Sequence, residues 1–207
     1  MAFIRSYRPG DRAAVFDICV RTADAGGDSR HLYPDSELVP SVFAAPYLEL
    51  EPELSFVLDD GEGRAVGYVL GVEDTPRFVK AFRRDWLPVV GERYPAPDGD
   101  VEARSPSDVM AALLHDPERM VLPELVGHPA HLHIDLLPAW QGRGYGRELI
   151  RTLLGALRGK GVSGVHLSML TANTGARAFY DRVGFHEIAV PGADADDVTY
   201  LGRRTTP

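Results

Sequence analysis

The sequence predicts an α/β fold, a mixed sheet carrying helices. Three observations carry that reading. Short alternating or β-branched segments recur between stretches with helical apolar spacing. Two adjacent strand-like segments are joined by a tight glycine-containing turn. Late in the chain, a strand, a loop with three glycines in five positions (Gly142, Gly144, Gly146) and a long amphipathic helix follow without a break.

The elements follow in order. Residues 2–7 (AFIRSY) alternate and read as a strand, and 8–23 carry Ala14, Val15, Ile18 and Cys19 at helical spacing, closed by Gly26 and Gly27. One short helix is expected around 40–50. Segments 54–60 and 64–74 read as antiparallel strands, with Asp60–Gly61 marking the hairpin. Residues 75–129 change character. Phe78, Val79, Phe82 and Trp86 share a helical face, Pro88 should stop or kink that helix, and Ser105–Pro106 reads as a helix start. This stretch is expected to be a helical insertion before the fourth strand, inside a single domain spanning 1–207. Strands are predicted at 131–138 and 164–170, with a helix at 147–158 between them whose apolar stripe is Leu149, Ile150, Leu153, Leu154 and Leu157. A helix over 173–183 ends at Gly184, and two final strands flank an acidic loop at 191–197.

With 207 residues the chain can bury its own core, and a net charge of −8 argues against nucleic acid as a partner. The single cysteine, Cys19, excludes an intrachain disulfide and reads as core. The first residues lack the apolar run of a signal peptide, and no segment approaches the roughly 20 apolar residues that span a membrane. No membrane association and a cytoplasmic location are therefore expected.

A strand, a glycine turn and a helix start together present backbone N–H groups to an anion. The phosphate loop ending in Lys-Ser or Lys-Thr is absent, and Arg147 stands where the third glycine of the dinucleotide fingerprint belongs. Gln141, Gly144 and Gly146 fit Q/R-x-x-G-x-G/A. That segment, LLPAWQGRGYG, resembles the pyrophosphate loop of the GNAT superfamily of N-acetyltransferases. NTGARAFYDRVGF is similar to the superfamily's second motif, with Asn173, Tyr180, Gly184 and Phe185 in its places. A narrower resemblance joins the middle of the chain, AAPYLELEPELSFVLDDGEGRAVGYVLG and FVKAFRRDWLPVVGERYP, to the acetyltransferase-like C-terminal domain of O-GlcNAcases. Some members of that group lack the glycine loop and with it a basis for binding coenzyme A; this sequence keeps the loop.

The resemblance implies the GNAT acyl-CoA N-acyltransferase fold and acetyl-CoA as cosubstrate. Its pyrophosphate would rest on the N–H groups of Gly142, Arg143, Gly144, Tyr145, Gly146 and Arg147 beside Gln141, with the two arginines adding charge. The pantetheine arm would pair with the backbone of Leu136 and Leu137 and touch Asn173. Tyr180 occupies the superfamily's general-acid position. A phenol of pKa about 10 is a weaker acid than a thiol of about 8.5, so a hydrogen bond to the leaving sulfur is expected, with full proton transfer late or to solvent.

The base is less obvious. Ala130, Leu132 and Ile134 occupy the strand positions where better-understood members carry a carboxylate. His131, His133 and Asp135 alternate with them. Asp135 is the candidate base and His133 the second. His131-x-His133 lacks third and fourth ligands nearby, so no metal is expected. Trp86 and Tyr94 of the insertion are candidates to line or cover the acceptor pocket. Cys19 is expected far from the motif, so no acetyl-enzyme is anticipated. The leading expectation is an N-acetyltransferase acting by direct attack of an unidentified amine, on a small molecule or a protein. The alternative is an acetyl-CoA-binding module that turns over weakly or not at all. Homodimers are common in the superfamily, and no stretch here demands one.

Overall fold

The computed structural model describes residues 1–98, 105–193 and 197–206. Its strands are β1 (Phe3–Ser6), β2 (Ser55–Asp59), β3 (Ala65–Val72), β4 (Ala130–Leu136), β5 (Gly164–Leu170), β6 (His186–Ile188) and β7 (Val198–Arg204). The helices are α1 (Arg12–Val20), α2 (Leu38–Phe43), α3 (Ala45–Leu50), α4 (Thr75–Ala81), α5 (Leu87–Val90), α6 (Pro106–His115), α7 (Tyr145–Gly159) and α8 (Thr174–Arg182). The strands form one seven-stranded sheet in the order β1-β2-β3-β4-β5-β7-β6. Every neighbouring pair is antiparallel except β4 and β5. Among the described residues no helix is long and apolar enough to cross a membrane.

The leucine stripe of α7 seats that helix on one face. Leu149, Ile150, Leu153, Leu154 and Leu157 are all buried, and a Cβ on Gly71 of β3 would come within 2.6 Å of a Leu153 methyl. Glycine at 71 therefore sets how closely helix and sheet approach. Helices α1 and α3 pack on β3. They bury Val15, Ile18, Cys19 and Tyr47 against Tyr68 and Leu70.

Several expectations shift in detail. Helix α1 stops at Val20, not at the glycines, because the Val20 carbonyl is taken by the Ser29 N–H at 2.9 Å and hydroxyl at 2.7 Å while Asp24 N–H turns to the Gly27 carbonyl at 3.0 Å. The expected single helix at 40–50 is two, α2 and α3, divided at Ala44. Pro88 does not stop its helix. The preceding turn, Phe82–Trp86, widens to π geometry, which relieves the clash of the ring with the carbonyl four residues earlier. Ser105 caps α6 as expected, with a reciprocal bond from its own N–H to Asp108. The insertion expected at 75–129 and the acidic loop expected at 191–197 lie partly outside the described residues.

The N-terminal strand is tied down by charge. Arg5 bonds Asp59 at 2.8 Å and Asp11 at 2.6 Å, with all three side chains about a tenth exposed or less (11%, 3% and 7%). Burial opposes the charge on Asp59, but the Gly61 and Gly63 amides and Arg5 outweigh it and hold its pKa below the ordinary value. Removing one member leaves an uncompensated buried charge. Asp59→Ala should cost about 3–5 kcal/mol, read as a lower urea midpoint. The wild-type contribution is present above the ordinary carboxylate pKa and should fade as pH falls below about 4.

Candidate functional site

The sheet opens between β4 and β5. Their parallel pairing consists of Ala130↔Val165 and His131↔His166, yet β4 continues to Leu136 and β5 to Leu170. Beyond that point the strands part. A cleft of about 740 Å³ follows the opening, walled by Leu132–Leu136, Leu167–Leu170, the glycine loop, Asn173 and Tyr180. Leu137 donates its N–H to Val66 on the β3 side at 3.0 Å. By alternation, the backbone groups of Ile134 and Leu136 face the opening. The Leu136 carbonyl accepts from the Gln141 side chain at 2.8 Å, which braces the loop against the strand end. Of the two leucines considered for the pantetheine arm, Leu136 turns its N–H to the cleft, while that of Leu137 belongs to the sheet.

The three glycines do two different jobs. Gly142 and Gly144 have φ of 69° and 91°, a region that disfavours side chains, and a Cβ on either would meet nothing within 4 Å. Gly146 has an ordinary φ, but a Cβ there would sit 3.1 Å from the Phe179 ring of α8. So two glycines shape the cradle, and the third lets α7 and α8 approach. Gly144 is the N-cap of α7 and has no side chain to cap it. The amides of Tyr145, Gly146 and Arg147 are therefore first-turn donors that no capping side chain satisfies, at the positive end of a 15-residue helix. Arg143 lies 5.8 Å over the Trp140 ring and Arg147 is exposed, and neither forms an ion pair among the described residues.

Asn173 caps α8 by accepting the Ala176 amide at 3.0 Å. Its amide nitrogen keeps its donors for the cleft. Tyr180 is buried to 9% exposure at the cleft wall, and its hydroxyl makes no hydrogen bond among the described residues. Burial, then the nearby Asp135, raises the phenol's pKa, so the group stays protonated.

Asp135 also lines the cleft, where its carboxylate accepts the Tyr68 hydroxyl at 2.6 Å. Burial pushes its pKa up to about 7, against the pull of Tyr68 and Thr22. Behind Tyr68 stands Cys19, close enough for its thiol to interact with the same phenol. This corrects the expectation that Cys19 lies far from the site. It is adjacent to it, but fully enclosed, and burial raises its thiol pKa, which keeps it from serving as a nucleophile.

The two histidines are fixed by a single directed chain. Thr75 donates to the Pro129 carbonyl at 2.8 Å, so it must accept from His131 Nδ1–H at 2.9 Å. His131 Nε2 then accepts the Tyr47 hydroxyl at 2.8 Å, and Tyr47 accepts from His133 Nε2–H at 3.0 Å. Burial lowers the pKa of both rings, His133 to about 4. Both are neutral, and Asp135 is better matched to proton uptake near neutrality than His133.

Trp86 and Tyr94 do not line this cleft. The Trp86 indole donates to the Ser41 carbonyl at 2.9 Å and Tyr94 to Asp35 at 2.9 Å, so both anchor the insertion. The wall opposite the glycine loop comes instead from Thr22, Ala23, Ala25 and Gly26 after α1. Ala25, at φ 48°, and the Asp24–Gly27 bridge hold that turn. Sequence reasoning passed over this loop and Tyr68. The available signal for Tyr68 was that it is the one residue with a polar atom on its side chain in the run from Ala65 to Val72.

Residues 109–185 match the model of the Acetyltransferase (GNAT) family. The chain is 31% identical over 203 residues to mouse Protein O-GlcNAcase, covering 97% of this chain and 22% of that protein. Thus it spans about a fifth of that relative's length. The crystal structure of SsHAT superposes with a TM-score of 0.94 at 64% identity, over 100% of this chain and 99% of that one. A GNAT acetyltransferase from Brucella melitensis, in complex with acetyl-CoA, shares the fold at a TM-score of 0.51 and 21% identity, over 100% of this chain and 90% of that one. With the parted strands, the glycine cradle and the full-length match in view, the chain belongs to the GNAT acetyltransferase family.

Proposed function

We propose that this protein transfers the acetyl group of acetyl-CoA to an amine by direct attack in a ternary complex. The observation that carries the reading is the meeting, in one cleft, of an anion cradle with a near-neutral carboxyl (Asp135) and a protonated phenol (Tyr180). The acetyl-CoA held by the Brucella melitensis relative supports the choice of donor.

The amides of residues 142–147 receive the pyrophosphate, with Arg143 and Arg147 adding charge. Leu136 N–H and the Asn173 amide hold the pantetheine arm. Asp135, as carboxylate, takes a proton from the ammonium or from the amine as it attacks. The nitrogen lone pair adds to the thioester carbonyl, and a backbone N–H at the end of β4 stabilises the oxygen as it gains charge. Collapse breaks the carbon–sulfur bond. Tyr180 O–H hydrogen-bonds the departing thiolate, which is protonated late or by solvent. The products are the N-acetyl amine and free coenzyme A.

Calorimetry with acetyl-CoA tests the shared ground, because absence of binding by the folded protein would sink both the enzyme and a binding-module reading. Thiol release over a panel of amines then tests turnover, and tight binding without release would favour the module. Tyr180→Phe should lower kcat roughly 10- to 100-fold with acetyl-CoA affinity nearly unchanged. An unaltered kcat would remove Tyr180 from the chemistry.

A further inference from the structure

One polar group on the cleft wall has its hydrogen-bonding sense fixed from a distance. His133 of β4 lines the cleft beside Asp135. Its Nε2 is committed to the Tyr47 hydroxyl, and the Phe43 and Tyr47 rings pack on the imidazole at 5.4 and 5.0 Å between centroids. Turning the ring over would break the bond to Tyr47, so Nδ1 keeps its place. Among the described residues Nδ1 makes no hydrogen bond, and it is not one of the enclosed unpartnered atoms, which are Arg119 Nε and His128 Nε2. Nδ1 is therefore open to the cleft.

The direction of the buried chain decides what that nitrogen offers. The Thr75 hydroxyl gives its proton to the Pro129 carbonyl, which places protons on His131 Nδ1, the Tyr47 oxygen and His133 Nε2 in turn. His133 Nδ1 is left as a bare lone pair, and burial keeps the ring neutral. It can accept a hydrogen bond and cannot donate one. Across the parting, Ser168 stands two residues beyond His166 as His133 stands two beyond His131, so the two share a face of the sheet. Ser168 is exposed and lines the cleft, and its hydroxyl is unpartnered among the described residues.

We propose that His133 Nδ1 is the specificity-determining acceptor for a hydroxyl on the amine substrate, with Ser168 donating to the same oxygen, which makes the substrate a short amino alcohol. A hydroxyl donates once and accepts twice, so it can give its proton to His133 and take one from Ser168. An ether oxygen in that place leaves the histidine lone pair without a donor. His133 and Asp135 are separated by roughly 7 Å along the strand. With a hydrogen bond of about 3 Å at each end, a short carbon chain between amine and hydroxyl bridges the gap. The inference rests on the acetyltransfer reading for the amine at Asp135, and on His133 and Ser168 alone for the hydroxyl. Thr75, His131 and Tyr47 act through His133 and are positioning residues.

Ethanolamine and its O-methyl ether test this, because they differ in whether the oxygen can donate. The wild type should favour ethanolamine at least about 10-fold in kcat/KM, mainly through KM. His133→Phe should bring that ratio to about one. His133→Asn, whose Oδ1 can stand where Nδ1 stood, should restore part of it. Ser168→Ala should raise KM for both amines, since either oxygen can accept from the serine. Nitrogen NMR of histidine-labelled protein reads the tautomer without turnover, and His133 should carry its proton on Nε2. Thr75→Val removes the hydroxyl that sets the chain. The run should then reverse, His133 should turn to the Nδ1–H form, and the ratio should fall with it. Calorimetry of ethanolamine with the coenzyme A-loaded protein reads binding alone. Acetylation with no preference between the two amines, a preference that survives His133→Phe, or a wild-type His133 protonated on Nδ1 overturns this inference and leaves the acetyltransferase reading intact. His133-dependent ethanolamine binding with no acetylation of any amine does the reverse.

Discussion

Asp135→Asn is expected to lower turnover by roughly 100- to 1,000-fold while making the protein more stable at pH 8. The two effects have one origin. Burial holds the carboxyl's pKa at about 7, well above the ordinary carboxylate value of 3.8. Between those values the unfolded chain has released a proton that the native protein retains. Stability contributed by this group is therefore complete below about pH 4 and falls as pH rises through 7. Above pH 7 the native site holds a carboxylate in a partly dry cleft, and an amide of the same shape does not carry that cost. The gain should be on the order of 2 kcal/mol, below the full linkage figure because the amide makes a weaker partner for Tyr68. Thermal melts across pH 4 to 8 would show the wild type losing stability that the variant retains. The kinetic counterpart is a wild-type kcat/KM that climbs with pH through about 7, a limb the variant should lack. A variant with full activity, or a melting curve with the wild-type pH dependence, would remove Asp135 from the role of base.

The second large effect divides the glycine loop. Gly144→Ala should weaken acetyl-CoA binding at least about 30-fold with a modest stability loss of about 1 kcal/mol, because its φ of 91° strains a side chain that otherwise points into open space. Gly146→Val should act the other way round. Its side chain would drive into the Phe179 ring, at 3.1 Å from the Cβ alone, and cost about 1–3 kcal/mol in the packing of α7 on α8. Calorimetry and urea unfolding on both variants separate the two. Equal stability losses with equal affinity losses would mean that the loop acts only as a turn.

The strands and α7 could be read from periodicity, because each buries one clear face: the leucine stripe of residues 149–157 leaves no other arrangement. The glycine loop, Asn173 and Tyr180 were legible because their roles are local, set by spacing along one strand–loop–helix unit. What escaped depends on register and on distant pairing. Tyr68 meets Asp135 because β3 pairs antiparallel with β4 at that residue, and nothing in either segment alone specifies the match. Cys19 enters the same cluster from α1, a contact across 116 positions of sequence. The loop at 22–26 was hidden for another reason: its glycines resemble an ordinary helix stop, and only the packing of α1 on β3 brings the turn over the cleft. Trp86 and Tyr94 misled for the opposite reason. Aromatic residues in an insertion suggest a lid, whereas both are satisfied internally by Ser41 and Asp35.

The parting of β4 from β5 after His131↔His166 also divides the sheet mechanically. One leaf is β1-β2-β3-β4 and the other is β5-β7-β6, stitched together along two residue pairs and the helix between them. Each leaf exposes an edge inside the molecule, a place where proteins seldom tolerate unpaired backbone. On the reading proposed above, the pantetheine arm acts as a borrowed strand that bonds to the β4 edge. The coenzyme then serves as a removable piece of the architecture as well as a reactant, and each round of acetyl transfer closes and reopens a seam down the middle of the fold.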